Sequence, residues 1–200
     1  MMIVLLCLGT YVVASIPFGL LVVQLVKGVD VRQHGSGNIG ATNVFRVGGA
    51  FAGIVTLLLD AAKGFLPVFI AQQWYPQTEW LHVAVAFIAL LGHTLSLFLK
   101  FKGGKGVATA LGVFLALLPL HIGIAAVVFA VALFVSGYVS LGSVLAAITL
   151  PLATLIMPAP LWYAGFALVA AVLVIAKHRA NIGRLRAGTE NKMVWRGAKK

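Results

Sequence analysis

VATALGVFLALLPLHIGIAAVVFAVALFV, residues 107–135, is the stretch on which the topology of this chain turns. Its 29 residues are almost wholly apolar and are broken once, by Pro119. Two full membrane helices would need about 40 residues and one needs about 20, so the segment is long for one crossing and short for two. Counted as one, it leaves the C-terminal tail on the outer face of a membrane. That tail carries Lys177, Arg179, Arg184, Arg186, Lys192, Arg196, Lys199 and Lys200, and Lys and Arg collect on the cytoplasmic side. The positive-inside rule therefore predicts two shortened segments with a break near Pro119.

Working outward from this stretch, the apolar runs fall into a regular order. Upstream lie 1–24, 51–73 and 81–99; downstream lie 139–157 and 161–176. The first starts uncharged and has its cation, Lys27, at the far end, which suits a retained helix with its N-terminus outside rather than a signal peptide. The turn at 74–80 lacks Lys and Arg and holds Trp74 and Trp80, so it belongs outside. The expectation is an all-α polytopic membrane protein of seven transmembrane helices, N-terminus outside and C-terminus cytoplasmic. With that count every Lys and Arg except Lys63 lies on one side. No internal repeat or linker is visible, so residues 1–200 read as a single integral-membrane domain.

Composition supports this reading and excludes others. The chain is 62% hydrophobic and 10% charged, with a mean hydropathy of +1.07, which leaves little for a soluble domain. Its net charge of +11 is spread between apolar spans and in the tail, not along one soluble face. Anionic lipid headgroups and anionic substrates fit that distribution; nucleic acid does not. The one cysteine, Cys7, lies in the first span, so neither a disulfide framework nor a thiolate zinc site is available. Only four acids exist, Asp30, Asp60, Glu79 and Glu190. Two-metal carboxylate chemistry and a glycosidase pair are thereby excluded, and no metal or other cofactor is expected. Asp60 and Lys63 stand three residues apart within a span, where unpaired charge is expensive. An internal ion pair is the preferred reading, over a Lys63 that reaches substrate.

Three polar clusters interrupt the apolar background. The first is HGSGNIGATNVFR, residues 34–46. Gly35, Gly37 and Gly40 let the backbone turn its amides toward one point, Ser36, Asn38, Thr42 and Asn43 add neutral hydrogen-bonding groups, and Arg46 supplies a permanent cation. Such a cradle suits phosphate. Its literal G-x-G-x-x-G is not a dinucleotide fingerprint, because Asp60, the acid at the right distance, lies inside a span. The second is GGKG, Gly103, Gly104, Lys105 and Gly106. It lacks the spacing and the following Ser/Thr of a nucleotide-binding P-loop, but it allows close approach to an oxyanion with Lys105 as a point charge. A short helix starting directly after it would aim its N-terminal amides at an inner vestibule. The third is KHRANIGRLRAGTENK, residues 177–192, with His178 and Asn181 one turn apart and Gly188 expected to end the helix. Arg196, Lys199 and Lys200 read as an anchor on anionic lipid. Between the fifth and sixth spans, SGYVSLGS, residues 136–143, is rich in hydroxyls, Ser143 among them, and fits a turn as well as a site. The three clusters are expected to meet on one face, where two anions could be held side by side. An enzyme joining two phosphorylated substrates and an anion carrier would both look like this. A carrier, however, predicts an internal repeat and polar residues through to the outer side, and a lipid-binding scaffold would need no glycine-rich cradles.

GSGNIGATNVFRVGG, FKGGKGVATALG and KHRANIGRLRAGTENK, in that order between hydrophobic spans, closely resemble the three motifs of the bacterial acyl phosphate:glycerol-3-phosphate acyltransferase family (PlsY). The resemblance extends over essentially the whole chain and includes LDAAKG and YVSLGS. It implies a seven-span enzyme of the bacterial inner membrane, active site facing the cytoplasm, that moves a fatty acyl group from acyl phosphate to glycerol 3-phosphate. The product would be lysophosphatidic acid, the first intermediate of phospholipid synthesis. By position it assigns Ser36, Arg46, Lys105, His178 and Asn181 to the substrate site, with motif loops at 34–49, 101–112 and 177–192. The glycines of the first two motifs would bind substrate through their amides, and Glu190 matches a functionally important acid, although by its own chemistry it reads as a tether for the basic tail. The partners implied are the two substrates and membrane lipid, with no obligate protein partner. The 1-hydroxyl would attack the acyl carbon and phosphate would leave, with His178 or a substrate phosphate oxygen taking the proton. The remaining histidines His82, His93 and His121 read as packing or interfacial residues.

Overall fold

Proline and glycine punctuate the apolar runs into ten α-helices in a computed structural model, in which residues 1–193 are described. Arg196, Lys199 and Lys200, assigned above to a lipid anchor, lie outside the described residues. Contacts divide the chain into two compact units, Met1–Leu118 and the part from Pro119 onward.

In the first unit, helix α1 (Met2–Ser15) is stopped by Pro17 and resumes as α2 (Phe18–Lys27). The break takes the Ser15 and Ile16 carbonyls out of the helical ladder in an apolar setting, where such groups need partners. Ser96 Oγ donates to the Ser15 carbonyl at 2.6 Å and Lys63 Nζ to the Ile16 carbonyl at 2.8 Å. Gly28, in the left-handed conformation at φ 69°, closes α2. A short α3 (Ala41–Gly48) leads into α4 (Ala50–Trp74), followed by α5 (Glu79–Thr94) and α6 (Val107–Leu117).

Helices α4 and α6 pack through glycine. A Cβ on Gly64 would fall on the Thr109 carbonyl oxygen, and one on Gly112 would fall on the Ala61 carbonyl oxygen. Helix carbonyls point toward the C-terminus, over the residue some three ahead, so these reciprocal approaches set Gly64 and Gly112 level on parallel helices. Gln72 Nε2 keeps the register eight residues further on by donating to the Ala116 carbonyl at 3.1 Å. That bond also satisfies one of the carbonyls left open at the end of α6. By this register α6 begins beside Leu59, nine residues or ~14 Å along α4 from Ala50. The GGKG loop is therefore recessed relative to the start of α4.

The second unit contains α7 (Pro119–Ser136), α8 (Val139–Ile156), α9 (Leu161–Lys177) and α10 (Arg179–Arg186). Helices α7 and α8 pair, α8 and α9 pair, and α9 turns by 58° into α10. Five stretches are long and apolar enough to cross a membrane: 2–27, 50–74, 79–99, 119–136 and 139–156. Counted as one span, the bent pair of α9 and α10 makes a sixth. The break at Pro119 is where the sequence placed it, but only one side of it is short. Helix α6 has 11 residues whereas α7 has 18, a full span. The reason is local: the residue before a proline is pushed out of the helical region, and proline itself is suited to a first turn. Leu118 accordingly sits at φ −142°, ψ 63°, and Pro119 opens α7.

Candidate active site

The first motif loop is built around one side chain. Asn43, 2% exposed, accepts from the Ser36 amide through Oδ1 at 2.8 Å, and its Nδ2 lies on the carbonyls of Val31, His34 and Asn38 at 3.1, 3.0 and 2.9 Å. Gly35 has φ 60°, and a Cβ there would fall on Asn43 Oδ1, so glycine is required on both counts. Asn38 Oδ1 takes the Gly40 amide at 2.8 Å, and the Gly37 amide goes to the His34 carbonyl at 3.1 Å. Beneath the loop, Ile39, Val31 and Val44 pack with Val23, Ala52 and Leu99 in a small apolar cluster, which ties the loop to the chain entering the second motif. Ser36 stays exposed, Thr42 stands in the first turn of α3, and Arg46 is half-buried in its last turn. Before the loop, Asp30 caps the turn Val31–Gln33 and holds Arg32 at 2.6 Å. The side-chain hydrogen bonds from Arg32, and then its backbone amide, lower the Asp30 carboxyl to about 2.

The second motif lies flush against the end of α5. Gly103 and Gly104 donate their amides to the Thr94 and His93 carbonyls at 3.3 and 3.1 Å. A Cβ on Gly103 would fall on the His93 carbonyl oxygen, and one on Gly104 on His93 Nε2. Lys105 follows, half-buried, and Gly106 at φ 82° turns the chain into α6. Behind the loop, Asp60 and Lys63 form the expected ion pair at 2.8 Å, each side chain 2% exposed. Lys63 also lies 5.5 Å from the Phe18 ring centroid, so its cation is committed to the α1–α2 break.

In the second unit, His178 is the hinge between α9 and α10, at φ −97°, ψ 4° and 2% exposed. Its Nδ1 is 2.8 Å from the Val174 carbonyl. A carbonyl can only accept, so Nδ1 carries the proton and Nε2 is the basic nitrogen of the neutral ring. Glu190 gathers the third motif. Its Oε1 accepts from Asn181 Nδ2 at 2.6 Å and Ser140 Oγ at 2.9 Å, and its Oε2 from Arg184 Nε at 2.7 Å. Burial opposes the charge, but the Asn181, Arg184 and Ser140 hydrogen bonds outweigh it and hold the carboxyl below its ordinary range. Gly188 ends α10 at φ 69° as expected, and Thr189 N–H closes on the Arg184 carbonyl at 2.9 Å. The tail then folds back: Met193 N–H reaches the Gly137 carbonyl at 2.7 Å, and Lys192 lies over the Tyr138 ring at 5.4 Å.

A family model described as glycerol-3-phosphate acyltransferase matches residues 4–188. The chain belongs to the glycerol-3-phosphate acyltransferase (PlsY) family. Among its relatives, the glycerol-3-phosphate acyltransferase of Geobacter sulfurreducens is 50% identical over 91% of this chain and 93% of its own. That of Myxococcus xanthus is 47% identical over 91% and 95%. Crystal structures of PlsY (YgiH), an integral membrane glycerol 3-phosphate acyltransferase, superpose with TM-scores of 0.92 for a glycerol 3-phosphate form and 0.90 for a lysophosphatidic acid form. Both are 38% identical and cover 97% of this chain and 96% of theirs. The chain is thus an integral membrane, multi-helix acyltransferase of the PlsY type, and phospholipid synthesis follows from the family.

Seen as a PlsY chain, the singled-out residues divide by their bonds. Asn38, Asn43 and the amides of Gly37 and Gly40 shape their own loop, the amides of Gly103 and Gly104 are taken by the end of α5, and Ser143 donates to the Val139 carbonyl of its own helix at 2.9 Å. Ser140, not singled out from sequence, is the hydroxyl that reaches Glu190. Two serines three residues apart gave no signal as to which would face the tail.

Proposed function

We propose that this chain transfers a fatty acyl group from acyl phosphate to the 1-hydroxyl of glycerol 3-phosphate, giving lysophosphatidic acid (1-acyl-glycerol 3-phosphate) and inorganic phosphate. The observation that carries this is the end-to-end likeness to a PlsY crystallised in glycerol 3-phosphate and lysophosphatidic acid forms, a substrate and a product of one acylation. The hydroxyl oxygen attacks the acyl carbon, the bond from that carbon to the phosphate oxygen breaks, and the proton passes to His178 Nε2 or to a substrate phosphate oxygen. Acyl phosphate is an activated donor, so much of the catalysis can come from positioning and charge stabilisation by Arg46, Lys105 and the loop amides. Ser36 and Asn181 complete the catalytic set, and no metal or nucleotide enters. Thr42, at the open N-terminal turn of α3, and Gly35 and Gly106 contribute to substrate binding, while Glu190 holds Asn181 in place.

We further propose one integral-membrane domain of seven spans in the bacterial inner membrane, with its active site facing the cytoplasm. Helices α1 and α2 together make the first span, and α6 is the short fourth. The test is to incubate purified protein in detergent or lipid mesophase with palmitoyl phosphate and glycerol 3-phosphate, following phosphate and lysophosphatidic acid together. One-to-one formation of both, lost in Lys105→Ala, is expected. Binding of glycerol 3-phosphate without either product would overturn the enzyme reading.

A further inference from the structure

The buried Asp60–Lys63 pair and His93 stand behind the GGKG loop, and the mechanism above uses none of them. His93 occupies the last turn of α5 and is 3% exposed. Its two nitrogens face different things. Nδ1 lies 3.8 Å from Asp60 Oδ1, an electrostatic contact rather than a hydrogen bond, and Asp60 is itself fixed by Lys63 at 2.8 Å. On the Nε2 side, all three atoms nearest a Cβ built on Gly104 belong to the His93 ring: Nε2, then Cε1 at 3.1 Å and Cδ2 at 3.2 Å. The loop backbone is meanwhile pinned to the same residue by the Gly104 N–H on the His93 carbonyl at 3.1 Å. The ring is therefore the surface on which Gly104 rests, and the next residue is Lys105.

We propose that His93, oriented by Asp60, is a positioning residue for Lys105: the edge of its imidazole sets the seat of the GGKG loop and hence where the ammonium meets phosphate. This rests on Lys105 being the anion-binding cation of the acyl transfer proposed above. A closely packed support has little slack, and moving a catalytic group by ~1 Å can cost about 100-fold in rate. Chemistry elsewhere in the site is untouched by it. The glycine at 104 is then a specificity of fit, because any side chain there must displace the ring or the loop.

A double-mutant cycle on Gly104→Ala and His93→Asn tests this. Asparagine keeps a polar atom near the place of Nδ1, toward Asp60, and vacates the place of Nε2. Gly104→Ala alone is expected to lower kcat/KM by about 100-fold, with KM raised only for the substrate whose phosphate Lys105 meets. Adding His93→Asn should recover at least ~10-fold, a coupling of the size found between touching residues. A protein that is merely destabilised would instead lose active fraction, lowering kcat with both KM values unchanged. Effects that multiply, or a Gly104→Ala enzyme as active as the parent, would overturn the proposal. His93→Ala repeats the cycle if His93→Asn does not fold. Should the parent show no acyl transfer, the function fails separately, and the cycle is read in calorimetric binding of inorganic phosphate against Lys105→Ala. Phosphate binding that ignores Lys105, or shows no coupling between positions 93 and 104, then overturns this inference.

Discussion

Asn43 and Glu190 are single side chains that each organise a loop, and both yield measurable consequences. Replacing Asn43 with alanine strips a partner from the Ser36 amide and from three carbonyls at once. A buried polar group left unsatisfied costs ~1–3 kcal/mol, so Asn43→Ala should lower the thermal midpoint and kcat/KM together. Glu190 makes a pH prediction. Its carboxyl lies below the ordinary value of 4.5 in the folded protein. Such a group contributes stability that is complete above that value and is lost as pH falls through its lowered folded pKa. Thermal midpoints measured against pH should therefore show an acid limb in the parent that is shallower in Glu190→Gln, where Asp30 alone of the two lowered carboxyls still titrates, with the variant weaker at neutral pH by about 2 kcal/mol. The sequence announced both residues only in part. Asn43 was read as one more hydrogen-bonding group offered to substrate, because composition cannot say which donors a loop consumes in folding. Glu190 was read as a tether, which it is, but its partners come from 50, nine and six residues away and no local pattern reveals them.

At the level of elements, the packing of α4 on α6 makes the sharpest forecast. A methyl group on Gly112 has nowhere to go, since the atom it meets is the Ala61 backbone oxygen. Gly112→Ala should force the helices apart and cost ~1–3 kcal/mol, read as a lower unfolding midpoint in detergent. Gly165, on α9, has open space around its Cβ position, and Gly165→Ala should be neutral or stabilise by ~0.5–1 kcal/mol. The helices themselves were legible, because long apolar runs bounded by Gly, Pro and basic turns leave few alternatives. What was not legible was the unequal division around Pro119 and the resting of Gly103 and Gly104 on α5. The glycines were assigned to an oxyanion because a motif shows that close approach is needed, not which neighbour approaches.

On the scale of the whole molecule, the number of crossings is decided by whether α6 traverses. If it does, a cysteine placed at Ala159 in a chain lacking Cys7 reacts with an impermeant maleimide from the outside, and one at Gly188 reacts only after the membrane is opened. The opposite pattern would reduce the crossings to six and invert everything after α6. The recess of the GGKG loop along α4 has a consequence for how the protein responds to its ionic surroundings. Mobile ions screen charges that are bathed in electrolyte, over a Debye length of about 8 Å at physiological strength, and act far less on charges set back from it. Lys105 lies next to a helix that starts ~14 Å inward from the start of α4. Raising salt should therefore strip anions from the exposed basic surface of the chain while hardly altering the grip of Lys105, so that turnover persists at ionic strengths where lipid headgroups have already let go.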